Sequence, residues 1–232
     1  MESSVFACLG NIFVEPKKAL GDFREHNHWL WYPLLITMAV ATAVLLWYYA
    51  TADLGVLQQQ VMEVISSRYS AGDLETIRAT LTRGRFLFQA AMGGTLGVVL
   101  VCLIQALYFF LVSKLAGYEV QDYGRWFSFS VWTYFPNVLA YLAAGVAYLF
   151  SSRQTDFFAI DVTNLNTLLF RVSPDSRWFS LAASIHLTTF WWLALMIMGF
   201  SLWTKKSPGK SAFIVLAPWL TIYAVFALVK LI

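Results

Sequence analysis

Five runs of about 20 apolar residues, none containing Asp or Glu, limit what this chain can fold into: residues 29–52, 86–112, 127–150, 179–203 and 212–231. A hydrocarbon core about 30 Å thick needs about 20 helical residues to cross it, so each run is long enough to span. Alternation with period two, the mark of a membrane β-barrel, is missing from all five. The runs therefore predict an all-α, polytopic integral membrane protein with five transmembrane helices. Trp29, Trp31, Tyr48, Tyr49, Trp178 and Trp203 fall near the run ends, where an indole or phenol keeps its polar tip wet. Only 12% of the residues are charged, against about 25% in soluble domains, which excludes soluble, secreted, fibrous and disordered classes. The first run is too long for the apolar core of a cleaved signal peptide. A net charge of +3, with scattered Lys and Arg, gives no nucleic-acid surface. Cys8 and Cys102 form no disulfide framework and no thiolate zinc site.

Residues 1–28 read as N-terminal interfacial helices, short and amphipathic. Val5, Phe6, Leu9, Ile12 and Phe13 share one helical face, and a second helix beginning at Pro16 gathers Ala19, Leu20 and Phe23. Both are expected to lie on the bilayer surface. Residues 29–232 form the membrane domain, in which the long loop 53–85 keeps helical spacing on either side of a break at Ser70–Asp73 and reads as a helical hairpin. Residues 151–177 are less regular, with Ser173-Pro174-Asp175 placed as a cap for the fourth span.

Orientation follows from position, because five spans divide the Lys and Arg residues evenly between the two sides. Lys17, Lys18 and Arg24 precede the first span, and Lys205, Lys206 and Lys210 crowd the short loop on the same side. Basic residues flanking the first span weigh most, which puts the N-terminus in the cytoplasm and the C-terminus outside.

The segment Asn11-Ile12-Phe13-Val14-Glu15-Pro16-Lys17-Lys18-Ala19-Leu20, followed by His28-Trp29-Leu30-Trp31-Tyr32-Pro33, resembles the opening of the bacterial Yip-domain family. Gly117-Tyr118, Phe127-Ser128 and Tyr134-Phe135-Pro136 are similar to that family's glycine loop and its third span. The resemblance covers nearly the whole chain. It implies five spans, a bacterial inner (plasma) membrane and a cytoplasmic N-terminus. Eukaryotic members are implied in early secretory traffic through Rab-type GTPases and homo- and hetero-oligomers. For a bacterial member the resemblance implies the fold and the membrane, not that GTPase cycle.

Candidate chemistry is sparse. Glu15, pressed between Val14 and Pro16, is either a wet interfacial acid near a helix start or an ion or proton site. Glu25, His26 and His28 carry donors suited to a divalent transition metal, zinc or cobalt, provided a turn aims the two rings together. His186 falls inside the run 179–203, where a titratable group is either a proton or ion site or a partner for a neighbouring helix. Gln105 and Asn137 read as interhelical hydrogen-bond partners, and Pro136 as a kink that frees a carbonyl. Gly93 and Gly97, four apart, read as a close-packing face. No nucleophile elbow, zincin motif or phosphate loop is present, and the expectation is a protein without enzymatic activity. The leading reading is an inner-membrane, Yip-like homo-oligomer that organises a membrane process with an unidentified membrane protein partner in the lipid bilayer. The alternatives are a small transporter or channel built on a polar intramembrane cavity, and a divalent metal-binding membrane protein.

Overall fold

The computed structural model describes residues 4–66, 69–173 and 176–231. In chain order the helices are α1 (Val5–Val14), α2 (Pro16–Glu25), α3 (Trp31–Thr51), α4 (Leu54–Ile65), α5 (Ala71–Thr80), α6 (Arg83–Met92) and α7 (Val98–Leu115). They continue as α8 (Tyr123–Tyr134), α9 (Val138–Leu149), α10 (Phe157–Ile160), α11 (Phe179–Ala183), α12 (Leu187–Thr204) and α13 (Pro208–Leu231). Among the described residues the only β pairing is an isolated bridge between Asn164 and His186.

Four helical stretches are long and apolar enough to cross a membrane: Asn27–Thr51, Arg83–Leu115, Leu187–Thr204 and Pro208–Lys230. The run expected to be the third span is divided by a 3-10 turn at Phe135–Asn137 into α8 and α9, each of 12 residues. Pro136 has no N–H to donate, so the α-helical ladder breaks there. The run expected to begin a span at residue 179 is also divided. α11 stops at Ala183, and the long helix starts only at Leu187.

The residues fall into two compact units, the first made of Met1–Met38, Leu96–Val138 and Thr188–Ile232. Its centre is aromatic. Phe23 of α2 stacks on Trp132 with ring centroids 5.2 Å apart and planes nearly parallel, and the Trp203 indole donates to the Leu20 carbonyl at 3.1 Å. Gly199 permits this approach, since a Cβ there would lie 2.4 Å from the Phe129 ring and 2.8 Å from the Leu20 side chain. Ile12, Ala19, Leu20 and Phe23 are all buried. The stripe expected on the bilayer surface is therefore packed against protein, and burying Leu20 and Phe23 contributes about 1.5–3 kcal/mol each. Phe6 and Val14 of α1 stay outside, at 72% and 75% exposure.

The second unit comprises Ala39–Thr95 and Leu139–Leu187. Its core joins Tyr48, Ala52, Leu57, Leu81, Phe86, Tyr148 and Ile160. The expected hairpin forms as α4 and α5: Asp53 caps the first, accepting from the Gly55 N–H at 2.7 Å, and Ser70 caps the second. The Gln58 amide ties the pair by donating to the Leu81 carbonyl at 3.0 Å. Arg83 closes the C-terminal end of α3, its guanidinium donating to the carbonyls of Tyr49, Ala50 and Ala52 at 2.6, 3.0 and 2.8 Å. These are carbonyls without helical partners, and a cation there also suits the helix dipole.

The packing glycine is Gly94, which corrects the expectation for Gly93 and Gly97. A Cβ on either of those meets nothing within 4 Å, whereas one on Gly94 would meet the Thr42 hydroxyl, Cα and N at 2.6, 2.7 and 2.8 Å. Residues Gly93–Gly97 form a π-helical turn, and the wider turn changes which glycine points at the neighbouring backbone. Gly94→Ala is expected to cost about 1–3 kcal/mol, because Thr42 presents backbone that cannot step aside. Gly97→Ala should be neutral or stabilising by up to about 1 kcal/mol, as a helical Gly→Ala change is elsewhere. Thermal melting of both variants in detergent compares them, and equal midpoints would show that the close contact is not at Gly94.

Candidate functional site

Gln105 and Asn137 each reach one neighbouring helix. Gln105 on α7 donates from Nε2 to the Thr133 hydroxyl of α8 at 3.2 Å, and Thr133 in turn donates to the Phe129 carbonyl at 2.9 Å. Asn137 serves the break at Pro136 in two directions. Its Nδ2 donates to the Tyr134 carbonyl at 2.9 Å, while its Oδ1 accepts from the Thr188 hydroxyl of α12 at 2.9 Å. The Val138 N–H bonds to the carbonyls of Phe135 and Pro136, so the Tyr134 carbonyl is the one left for the side chain. The sequence points to a freed carbonyl near Trp132; the group that Asn137 satisfies lies two residues further on.

Glu15 stands at the junction of two helices. Its N–H donates to the Asn11 carbonyl, and its own carbonyl accepts from Lys18 and Ala19. The carboxylate is exposed and lies 3.6 Å from the Lys18 ammonium. His26 stacks on Trp29 with centroids 4.1 Å apart, and its Nδ1 meets the Asp22 carbonyl at 2.9 Å. The His26 and His28 rings are 6.2 Å apart and nearly perpendicular. Among the described residues no group of three or more His, Cys, Asp or Glu is gathered to hold a metal ion, and Glu25, His26 and His28 are not brought together as ligands. Nearby, burial first and the Asp22 charge second push the Cys8 thiol up to about 12, so it stays protonated and unreactive.

On the same unit, Glu119 accepts from the Lys205 ammonium at 2.7 Å and lies 3.9 Å from the Arg24 guanidinium. The Lys205 hydrogen bond and charge hold this carboxyl below its ordinary value.

His186 is the largest departure from expectation. It lies outside the spanning helix, in the break between α11 and α12, and its backbone bridges Asn164. The Leu165 N–H donates to the Ile185 carbonyl, and the Leu187 N–H to the Thr163 carbonyl, both at 2.8 Å. Those bonds hold residues 184–186 out of the helix. The ring Nδ1 lies 3.4 Å from Asp161 Oδ2 and 3.3 Å from the Thr163 hydroxyl. Burial works against the Asp161 charge, but the His186 ring and then the Thr163 hydroxyl and N–H outweigh it and hold the carboxyl below its ordinary value. Asp161, Thr163, Asn164 and His186 thus form one polar knot, of which the sequence reading singled out only His186. The missed signal is the run Asp161-Val162-Thr163-Asn164, whose side chains bond to nearby backbone as in Asx turns. The Ser173-Pro174-Asp175 cap falls outside the described residues.

A cavity of about 240 Å³ in the second unit is lined by Tyr49, Gln60, Val61, Ile65, Phe157 and Phe158. Its walls are mainly apolar, and none of the candidate site residues lines it.

The knot gives a signed expectation. A carboxyl whose folded pKa is depressed contributes stability that is complete above its unfolded value, about 3.9, and is lost as pH falls through the folded value. The melting midpoints of the parent and Asp161→Asn in detergent should therefore differ at about pH 5 and converge below about pH 4. An interval unchanged at pH 3 would exclude the carboxylate as its source.

A search of curated proteins finds no match, and neither does a search of solved structures. The family model of the Yip1 domain matches residues 10–229, from within α1 to the last turns of α13. By that coverage, the chain belongs to the Yip1 domain family of membrane proteins.

Proposed function

We propose that this protein is a five-crossing, non-enzymatic member of the family that sits in a bacterial inner membrane and acts by assembling with copies of itself to organise a membrane process. The observation that carries this reading is the pairwise use of polar groups. Gln105 holds Thr133, Asn137 holds Thr188, and His186 belongs to the Asp161 knot, so each polar candidate has its own local task. A transport path would need such groups to line one water-filled cavity. Inside hydrocarbon, amides and hydroxyls used this way hold helices to each other.

Five crossings are supported by the segments that meet. α8, the 3-10 turn and α9 follow one another from Tyr123 to Leu149, 27 residues in all, more than the roughly 20 that a core of about 30 Å requires. Alternating crossings put the N-terminal segment, residues 116–122 and residues 205–207 on one side. Arg24, Glu119 and Lys205, one from each, share an ion-pair network. They put residues 52–82 and 150–186 together on the other, where the Asp53 N–H donates to the Arg153 carbonyl at 2.8 Å. With three basic residues ahead of the first span and three at Lys205–Lys210, the first side is cytoplasmic. Assembly is supported by α13, whose Phe213, Leu220, Ile222, Leu228 and Val229 are all more than half exposed. That surface is available to lipid and to a second copy alike.

Reconstitution into lipid nanodiscs followed by mass measurement tests the assembly. The expected mass is two or more times that of the 26.3 kDa chain, and a monomer at all protein concentrations would overturn it. Fusions at residue 232 test the orientation: an alkaline phosphatase should be active and a fluorescent protein dark, and the reverse pair would place the C-terminus in the cytoplasm.

A further inference from the structure

Between α10 and α11 the chain builds a loop that presents three apolar side chains to the outside. Leu168, Leu169 and Phe170 are 44%, 69% and 59% exposed, although Asn164 and Asn166, which hold the turn beneath them, are buried. The Asn164 side chain accepts from the Thr167 N–H at 2.8 Å, and its carbonyl accepts from the Leu168 N–H at 3.1 Å. Asn166 clamps the far side, donating to the Val172 carbonyl at 3.1 Å and accepting from the Val172 N–H at 2.7 Å. Arg171 closes the turn in the left-handed region, at φ 49°. A non-glycine residue rarely adopts that conformation unless the surroundings fix it. The apolar tip is thus the product of an ordered turn with its polar groups satisfied underneath.

Its position is set by the bridge to His186. Asn164 pairs with the residue just before Leu187, the first residue of α12. α12 has 18 residues and a length of about 27 Å, close to the hydrocarbon thickness, so its first residue lies near the boundary of the core. Leu169 is five residues from Asn164 and cannot be more than about 17 Å of chain away even if extended, and the π-helical turn makes it nearer. The tip therefore stays within about 17 Å of the residue that pairs just before Leu187. Arg171 follows it immediately and is exposed, and Arg177 lies over the Trp178 ring at 5.8 Å. Apolar residues flanked by Arg and Trp are suited to a bilayer interface, where the cation meets phosphate and the ring sits between water and acyl chain.

We infer that the turn Asn164–Val172 is a membrane-dipping loop: Leu168, Leu169 and Phe170 insert into the interfacial layer of the bilayer that α12 crosses, with Arg171 at the phosphates. The inference rests on the reading of α12 as a spanning helix.

Spin labelling in vesicles of phosphatidylethanolamine and phosphatidylglycerol tests it. Nitroxides are attached to Leu169→Cys, to Arg153→Cys as an exposed polar loop position, and to Phe190→Cys as an exposed position within α12. The parent, whose Cys8 and Cys102 are buried, gives the labelling background. Collision with molecular oxygen, which partitions into lipid, is compared with collision with a water-soluble nickel chelate. The expected result is an oxygen-to-chelate ratio at Leu169→Cys several-fold above that at Arg153→Cys and approaching that at Phe190→Cys. A chelate-dominated signal at 169 with an oxygen-dominated one at 190 overturns the loop and leaves the spanning helix intact. Weak collision with both reagents at 169 means that protein, a second copy or another chain, covers the tip, and also overturns it. A chelate-dominated signal at 190 overturns the spanning reading of α12 and the loop with it.

Discussion

Every backbone N–H and C=O that lies in hydrocarbon must find a partner within the protein, and the rest of this structure depends on that condition. A straight α-helix meets it automatically, which is why runs without an acid become helices. The informative places are those where the helical ladder fails. At Pro136 the lost bond is replaced by a 3-10 turn and the Asn137 amide, which takes the Tyr134 carbonyl. At Gly93–Gly97 the ladder widens into a π turn, and the Thr95 hydroxyl donates to the Ala91 carbonyl at 2.6 Å. At the end of α3 the Arg83 guanidinium covers three terminal carbonyls. Each repair uses a side chain within a few residues of the break or, as with Arg83 of α6, one brought in by a later helix.

The same condition explains why so few polar side chains act as a group. An amide in a membrane interior finds its hydrogen-bond partners on the nearest helix, and once Gln105 has Thr133 and Asn137 has Thr188, each is held in one orientation. Large aromatic surfaces supply what these sparse polar contacts cannot. Phe23 of α2 on Trp132 of α8, and Trp203 of α12 against Phe129 of α8 at 5.1 Å, join helices far apart in the chain. Lipid tails are as apolar as these rings, so shape and ring geometry, more than expulsion of water, favour protein contact over lipid contact within the membrane.

The helical class and membrane location were legible because hydropathy over about 20 residues is a strong signal that tertiary contacts do not reverse. The break at Ser70–Asp73 was legible because it interrupts helical spacing locally, and Ser70 caps the helix that follows it. Three features were hidden for physical reasons. The face of α2 gave its apolar residues but not their partners, since Leu20 and Phe23 would suit a bilayer surface as well as Trp132 and Trp203. Gly93 and Gly97 have the spacing of a packing face in a regular α-helix, and a π turn moves that face to Gly94. His186 read as a residue within a span because its neighbours are helix formers, while the backbone of Thr163 and Leu165, about 20 residues upstream, holds it outside. In each case the deciding atom is distant in sequence or depends on helical pitch.

The knot at Asp161 and His186 also solves a problem of length. α12 lies at the short end of the lengths that cross the core, about 27 Å of helix for about 30 Å of hydrocarbon, so a start one turn later would leave the crossing shorter still. Apolar residues from Phe179 onwards cannot mark that start by hydropathy alone, because the run continues through it. The two backbone bonds from residues 163–165 to 185–187 fix it instead, by pairing the backbone just before and at Leu187 with a loop that remains outside the helix. The carboxylate and the ring then hold the crossing point from their side chains. The polar residues of this loop are thus concentrated where the helix begins, and the break that leaves His186 outside α12 fixes Leu187 as its first residue.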